Sequence, residues 1–155
     1  IPAKFIILGD GRGKVSLIKN INKSKLNEYF EVCNSVPPKS ITSYFNSVDA
    51  LYLSLKKKDT FKKTIPGKLQ TYLFSGRPIL GMISGEANKI IRESSSGLVC
   101  EADDFKMLSN NIIKMMSLNK NKLKSFGENG KKYVSKFFNK KKILNDLIKI
   151  IKSIK

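Results

Sequence analysis

The stretch from Ile65 to Ala87, IPGKLQTYLFSGRPILGMISGEA, decides the fold. Pro66-Gly67 precedes a helical stretch, Lys68 to Ser75, which Gly76 closes. Pro78 to Met82 then reads as a short buried strand, and Gly85 opens a second helix that reaches about Ser94. Short strands that alternate with helices in this way predict a parallel α/β architecture, with helices on both faces of one sheet.

The same rhythm continues on either side. Upstream, Phe5-Ile6-Ile7-Leu8 is an apolar run stopped by the turn Gly9-Asp10-Gly11. Lys14 to Ile21 predicts a helix, Tyr29 to Cys33 a second strand, and Ala50 to Leu53 a third. Between them Ser40, after Pro37-Pro38, is expected to cap a helix through Phe45, and Lys56 to Lys63 reads as a polar loop. Downstream, Gly97 to Cys100 is a fifth strand, and then the strand signal stops. Asp103 is expected to start a helix with Phe105, Leu108, Ile112, Ile113 and Met116 on its inner face. Helical segments from Lys120 to Phe137 and from Lys140 to Ile154 complete the chain. The expected organisation is one α/β core over residues 1–118 followed by C-terminal helices over 119–155.

A length of 155 residues suits one domain with a core of its own. Hydrophobic residues make up 41 %, too many for a disordered chain. No apolar run approaches the roughly 18–20 residues of a membrane span, and no secretory signal is visible. The chain begins Ile1-Pro2 rather than with Met, as expected of a piece of a longer protein. There is no His, which removes the commonest acid–base group and metal ligand. Cys33 and Cys100 are too few for a disulfide scaffold or a zinc site, and both sit in apolar strand-like runs. Buried free thiols in a reducing cytosol are the expectation.

Thirty Lys and Arg against twelve Asp and Glu give a net charge of +18, enough to attract polyanions without specificity. Yet the only arginines are Arg12, Arg77 and Arg92, whereas nucleic-acid readers favour arginine forks with aromatic stacking. Solvated lysine faces are the simpler reading, and Lys56–Lys58 and Lys140–Lys142 belong to them. A basic α/β nucleic-acid-binding module without catalysis remains the alternative. The last helix carries Leu144, Leu147, Ile148, Ile151 and Ile154 along one side, flanked by Lys149, Lys152 and Lys155. This stripe is expected to pack on the domain, with an anionic lipid surface as the other possibility.

In an open parallel sheet, ligands bind beyond the carboxyl ends of the strands. Three segments fall there: Gly9-Asp10-Gly11, the helix start at Gly67-Lys68, and Gly81 to Ala87 feeding another helix start. A helix start offers free N–H groups and a partial positive charge, which suits phosphate. Gly67 would admit a ligand close to the backbone, and Lys68 adds a formal charge. Two glycine-edged helix starts therefore suggest a diphosphate-sugar cradle. Asp49, Asp59, Glu86 and Glu93 are available carboxylates, but no nucleophile–base pair stands out, so a binding half-site is more credible than a self-contained catalyst.

Taken together, Phe5–Gly11, Val48–Tyr52, Ile65–Gly81, Gly85-Glu86-Ala87 with Ile90-Ile91, Ser96–Val99, and Phe126–Gly130 with Tyr133 resemble a known pattern. It is that of the C-terminal, donor-binding domain of GT-B glycosyltransferases, family 4 or group 1, nearest in flavour to bacterial O-antigen and capsule transferases. The resemblance covers essentially the whole chain and implies a Rossmann-like parallel sheet. It implies a donor nucleotide-sugar, most often a UDP-sugar, whose diphosphate rests on Gly67, Lys68 and Leu69. The base is expected near Asn34-Ser35-Val36, the ribose near Gln70 and Thr71, and the sugar near Gly85 and Glu86, with Gly11 also among the residues expected to bind the nucleotide or its diphosphate. Transfer is expected to be retaining, without metal or cofactor, and the catalytic side chains are unknown. The partners implied are an N-terminal acceptor domain absent from this chain, a lipid-linked acceptor and the anionic inner face of the plasma membrane. A specific nucleic acid is not expected, and the location implied is cytoplasmic.

This sequence departs from the family pattern twice. Where many members carry Glu-x7-Glu, it has Lys63 and Thr71. The family's first strand and helix, with an Arg and a Lys for the diphosphate, have no counterpart before Phe5. In a doubly wound order that first strand is central. Phe5–Leu8 and Ala50–Leu53 are therefore expected not to pair directly, with another segment or chain filling the place between them.

Overall fold

Ile79–Met82 is buried at every position, which is the signature of a strand covered on both faces. A computed structural model describes residues 3–154, with Ile1, Pro2 and Lys155 outside the described residues. Its elements run β1 (Phe5–Leu8), α1 (Lys14–Lys23), β2 (Phe30–Cys33), α2 (Pro38–Ser47), β3 (Leu51–Ser54), α3 (Asp59–Lys62) and α4 (Gly67–Ser75). They continue with β4 (Ile79–Met82), α5 (Glu86–Glu93), β5 (Gly97–Cys100), α6 (Phe105–Ser117), α7 (Lys120–Phe137) and α8 (Lys140–Ser153). The chain divides into two compact units, Ile1–Tyr44 and Phe45–Lys155, with the boundary inside α2.

All strand pairs are parallel, as expected, but the described strands form two sheets rather than one. In the first unit β1 pairs β2, with Phe5 opposite Phe30 and Leu8 opposite Cys33. In the second the order is β3-β4-β5, with Met82 opposite both Ser54 and Cys100. No pairing of β1 with β3 occurs among the described residues.

The core of the second unit is Leu53, Leu69, Leu73, Ile79, Ile83, Ala87, Ile90 and Ile91, with Tyr133, Val134 and Phe138 of the α7 end packed against it. Each fully buried Leu or Ile contributes roughly 1.5–3 kcal/mol relative to exposure. Helices α4 and α7 meet through two glycines. A Cβ on Gly127 would overlap the Gly76 carbonyl, and one on Gly130 would press on the Leu73 carbonyl at 3.1 Å. Gly76 ends α4 in the left-handed conformation, φ 74°, and its N–H donates to the Leu73 carbonyl. The Phe126–Gly130 motif is thus a helix-packing device, and Asn129 Nδ2 adds a hydrogen bond to the Ser95 carbonyl at 3.2 Å.

Five expectations change. Helix α2 begins at Pro38, ahead of Ser40, because proline's fixed φ suits the first helical position. The supposed polar loop contains the single turn α3, with Asp59 favourably placed in its first turn. Helix α6 is capped by Asp104, not Asp103, through the Met107 N–H at 2.9 Å. It buries Met115, with Leu108 and Ile112 half-buried, while Phe105 and Ile113 are 67 % and 64 % exposed. The expected stripe was turned too far round the helix: at about 100° per residue, Leu108, Ile112 and Met115 form the tight arc. Finally, the apolar stripe of α8 does not pack on the domain, since every residue from 140 to 153 is exposed.

Candidate donor-binding site

The candidate residues lie beyond the carboxyl ends of the strands, and each unit has its own such edge. In the first unit the Gly9–Gly11 turn leaves β1 and the Asn34–Val36 loop leaves β2, at the same edge because Leu8 pairs Cys33. Three side-chain contacts tie the two loops together. Asp10 accepts a hydrogen bond from the Ser35 N–H and an ion pair from Lys14 Nζ, both at 2.6 Å. Lys14 Nζ also donates to Asn34 Oδ1. The Lys14 ammonium first, then Ser35, holds the Asp10 carboxyl well below the usual carboxylate range. Gly11 is exposed and a Cβ there would meet nothing, while Val36 is half-buried in the loop this network shapes.

In the second unit, helices α4 and α5 both start at the carboxyl edge of β3 and β4, as parallel crossovers require. Their starts differ from those later in the chain. Helices α6, α7 and α8 are capped by the side chains of Asp104, Asn119 and Asn139. Helices α4 and α5 have no side-chain cap, so their first-turn N–H groups lack a side-chain partner, although in α4 the Leu69 N–H is taken by the Pro66 carbonyl. Helix α4 has no acid in its first turn, begins with exposed Gly67 and Lys68, and leaves open space where a Gly67 Cβ would stand. Six lysines and one aspartate lie between residues 56 and 68, so the approach to this start is strongly cationic.

Helix α5 is set up otherwise. Gly85 stands before it at φ 76°, ψ −145°, and a Cβ there would overlap the Lys62 carbonyl, so the end of α3 seats directly on the glycine. Exposed Glu86 occupies the first turn and already complements the helix dipole. An acid there disfavours a second anion and leaves an acceptor for hydroxyl groups.

The remaining predicted residues sort themselves. Gln70 and Thr71 are exposed, and the Thr71 hydroxyl donates to the Gly67 carbonyl at 3.3 Å, so it reaches outward only as an acceptor. Leu69 buries its side chain completely, and its N–H donates to the Pro66 carbonyl at 2.9 Å. Gly11 and Val36 share the edge of the first unit; Gly67, Lys68, Gln70, Thr71, Gly85 and Glu86 lie in the second.

Sequence reasoning missed two supports. Asn88, 5 % exposed, donates to the carbonyls of Ile83 and Cys100 and to Glu101, and accepts from Arg92 Nε at 2.7 Å. With Ser84 Oγ accepting the Ala102 N–H, it pins the loops after β4 and β5. Its signal was a polar residue on the buried face of α5 beside Ala87, Ile90 and Ile91. The Asp10 network had no pattern to betray it. Cys100 is buried and Cys33 half-buried, and both thiols are free, with pKa raised chiefly by burial. A cavity of about 410 Å³ runs beside β5, lined by Arg92, Glu101, Asp104 and Asn111 among others, but by none of the predicted residues. Among the described residues no cluster of three His, Cys, Asp or Glu is placed to hold a metal ion.

Residues 1–133 match the family described as glycosyl transferases group 1. The chain belongs to this family. Solved structures of similar fold include S. aureus TarM in complex with UDP, 15 % identical over 94 % of this chain and 28 % of that one, with a TM-score of 0.76. HepE of Anabaena, also in complex with UDP, is 14 % identical over 97 % of this chain and 41 % of that one, with a TM-score of 0.77. Sucrose-phosphate synthase from Thermosynechococcus elongatus is 13 % identical over 96 % of this chain and 38 % of that one, with a TM-score of 0.78. At these identities the likeness shows the GT-B Rossmann-like fold. The chain spans between about a quarter and two fifths of these neighbours' lengths. No curated protein sequence gives a significant match.

Proposed function

We propose that this chain is the donor nucleotide-sugar-binding part of a retaining glycosyltransferase. The observation that carries the reading is the start of α4: uncapped, free of acid, fronted by an open Gly67 and charged by Lys68. These are the properties of a diphosphate seat. The acid-bearing start of α5 suits the hydroxyls of the sugar, with Gly85 and Glu86 facing it. Within the second unit, Gln70 and Thr71 are the groups proposed for the ribose. UDP is the nucleotide favoured, since two similarly folded proteins bind it in their solved structures. Donor binding needs no metal or cofactor in this reading. The acceptor site and the catalytic groups belong to an N-terminal domain outside this chain. Cytoplasmic synthesis of a cell-surface polysaccharide is the role proposed; a structural neighbour, WaaG, takes part in lipopolysaccharide biosynthesis.

A thermal-shift panel of UDP, GDP, ADP and a short DNA, at low and moderate salt, tests this. A ligand that binds only the folded state raises the melting temperature in step with its affinity. The expected result is a UDP-selective shift that survives salt, with Lys68→Ala weakening binding roughly tenfold or more. A shift with DNA alone that vanishes with salt would instead favour a nucleic-acid-binding module driven by the +18 charge.

A further inference from the structure

Strand β5 ends the order β3-β4-β5 and leaves one edge open among the described strands. The Ile79 and Ile83 N–H groups donate to the carbonyls of Ser96 and Cys100. By the alternation of a parallel ladder, Leu98 and Cys100 turn their backbone groups toward β4, and Gly97 and Val99 turn theirs outward. The cavity of about 410 Å³ lies along this edge. Arg92 of α5 lines it, and so does a stripe of α6 formed by Asp104, Met107, Asn111 and Lys114. The Asn111 amide nitrogen is buried and has no acceptor among the described residues. Open backbone groups between two helices make a slot for an added strand.

The slot is self-complementary. Cys100 Sγ donates to the Asp104 carbonyl at 3.7 Å, and α6 runs back along β5 to Lys114. From that contact Leu98, midway between the outward residues, lies about 6.6 Å along the strand. Ser109, the middle of the α6 stripe, lies about 7.5 Å along the helix. The two midpoints coincide, so one twofold axis maps both patterns onto themselves. It sets Gly97 opposite Val99 of the partner subunit, with their outward backbone groups facing each other. It also sets Asp104 opposite Lys114 of the partner subunit, and Met107 opposite the partner's Asn111. Strands about 4.8 Å apart would hold the two α6 helices, each seated over its own β4 and β5, at about 10 Å, the spacing of packed helices.

We propose that two copies of this chain pair antiparallel through β5, joining their sheets about a twofold axis at Leu98. A copy of the same surface requires such symmetry, and a different domain does not. An acceptor domain facing the carboxyl ends of the strands would approach along their axes, whereas this edge opens across them. The +18 charge does not forbid the contact, because Glu101 and Asp104 balance Arg92 and Lys114 on the slot. Charges more than about 8 Å away are largely screened at physiological salt. The proposal stands independently of the donor reading.

Sedimentation equilibrium of the full chain, at about 0.15 M salt and up to about 1 mM protein, tests it. The parent is expected to dimerise. Lys114→Glu and Asp104→Lys should each weaken the dimer roughly tenfold or more, and their equimolar mixture should restore it, because the mixed dimer regains both ion pairs. Asp104→Lys removes the cap of α6, so melting curves check that both variants are folded. Leu98→Cys in a Cys33→Ser chain should form an intermolecular disulfide on mild oxidation, since residues on the axis face each other at about 4.5 Å between Cα atoms. Lys114→Cys in the same chain, at the far end of the stripe, should not. If Asp104→Lys fails to fold, the Lys114→Glu and cysteine results decide alone. Any of four results would overturn the proposal: a monomer at every concentration, a dimer that Lys114→Glu does not weaken, folded charge variants whose mixture stays monomeric, or equal cross-linking at both cysteine positions.

Discussion

Gly67 and Gly85 look alike in the sequence, each a glycine before a helix, and the structure separates them. Nothing in the chain requires Gly67: a Cβ there meets open space, and its φ is not in the left-handed region. Gly85 is required twice, by φ 76° and by the Lys62 carbonyl that a Cβ would overlap. Gly67→Ala should therefore keep or raise the melting temperature, by up to about 1 kcal/mol of helix propensity, while UDP affinity falls. Gly85→Ala should cost about 2 kcal/mol or more. Melting curves with and without UDP check both. A Gly67→Ala protein that melts early, or that binds UDP as the parent does, would remove the special role of the α4 start. At this scale the glycines, Lys68 and Glu86 were legible because helix starts announce themselves by residue type. The roles of Asp10, Asn34 and Asn88 were not, because they depend on distant partners as well as local ones: Asp10 on Ser35, Asn34 on Lys14, and Asn88 on Cys100 and Glu101.

Elements were legible where the apolar period was unbroken. The bounds of β1, β5 and α7 agree with the sequence reading, and most other elements shift by a residue or two. The failures have physical causes. Helix α6 carries more apolar residues than its buried arc can use, so periodicity alone could not choose the inner face. The α4–α7 contact explains one motif of the family pattern, Phe126–Gly130, as a packing device. There the helices approach until the Gly76 carbonyl occupies the space of a Gly127 side chain. Gly127→Ala must part the two helices, at a cost of about 1–3 kcal/mol by chemical denaturation. Nucleotide affinity in the surviving folded fraction should be unchanged, since α7 supplies none of the proposed donor contacts. A loss of affinity without a loss of stability would return the motif to the binding site.

At the scale of the whole molecule, the α/β class was legible, and so was the lack of direct pairing between β1 and β3, which follows from there being no counterpart of the family's first strand before Phe5. The two units also differ in what holds them. The second has the buried cluster around Leu69, Leu73, Ile79 and Ile91. In the first, Ile21 is the one buried apolar residue among those described, beside the Phe5–Phe30 ring stack with centroids 5.0 Å apart. Small cores leave little net stability. The amides of β1 and β2 are therefore expected to exchange with solvent through a local opening that leaves β4 protected. Acid should widen the difference. Lys14 holds the Asp10 carboxyl below its usual value, and Lys4 does the same to Glu31. A carboxyl depressed in the folded state adds stability that is complete above its unfolded value of about 4 and lost as pH falls toward the folded one. Both pairs are exposed, so the effect is small and screened by salt. Hydrogen exchange of Phe5, Gly9 and Ser35, whose amides donate within the first unit, against Ile79, followed from neutral pH to below about pH 4, measures it. Protection in the first unit should fall first, and Asp10→Asn should reproduce part of that fall at neutral pH. Equal opening free energies for β1 and β4 at every pH would mean that the two units unfold as one.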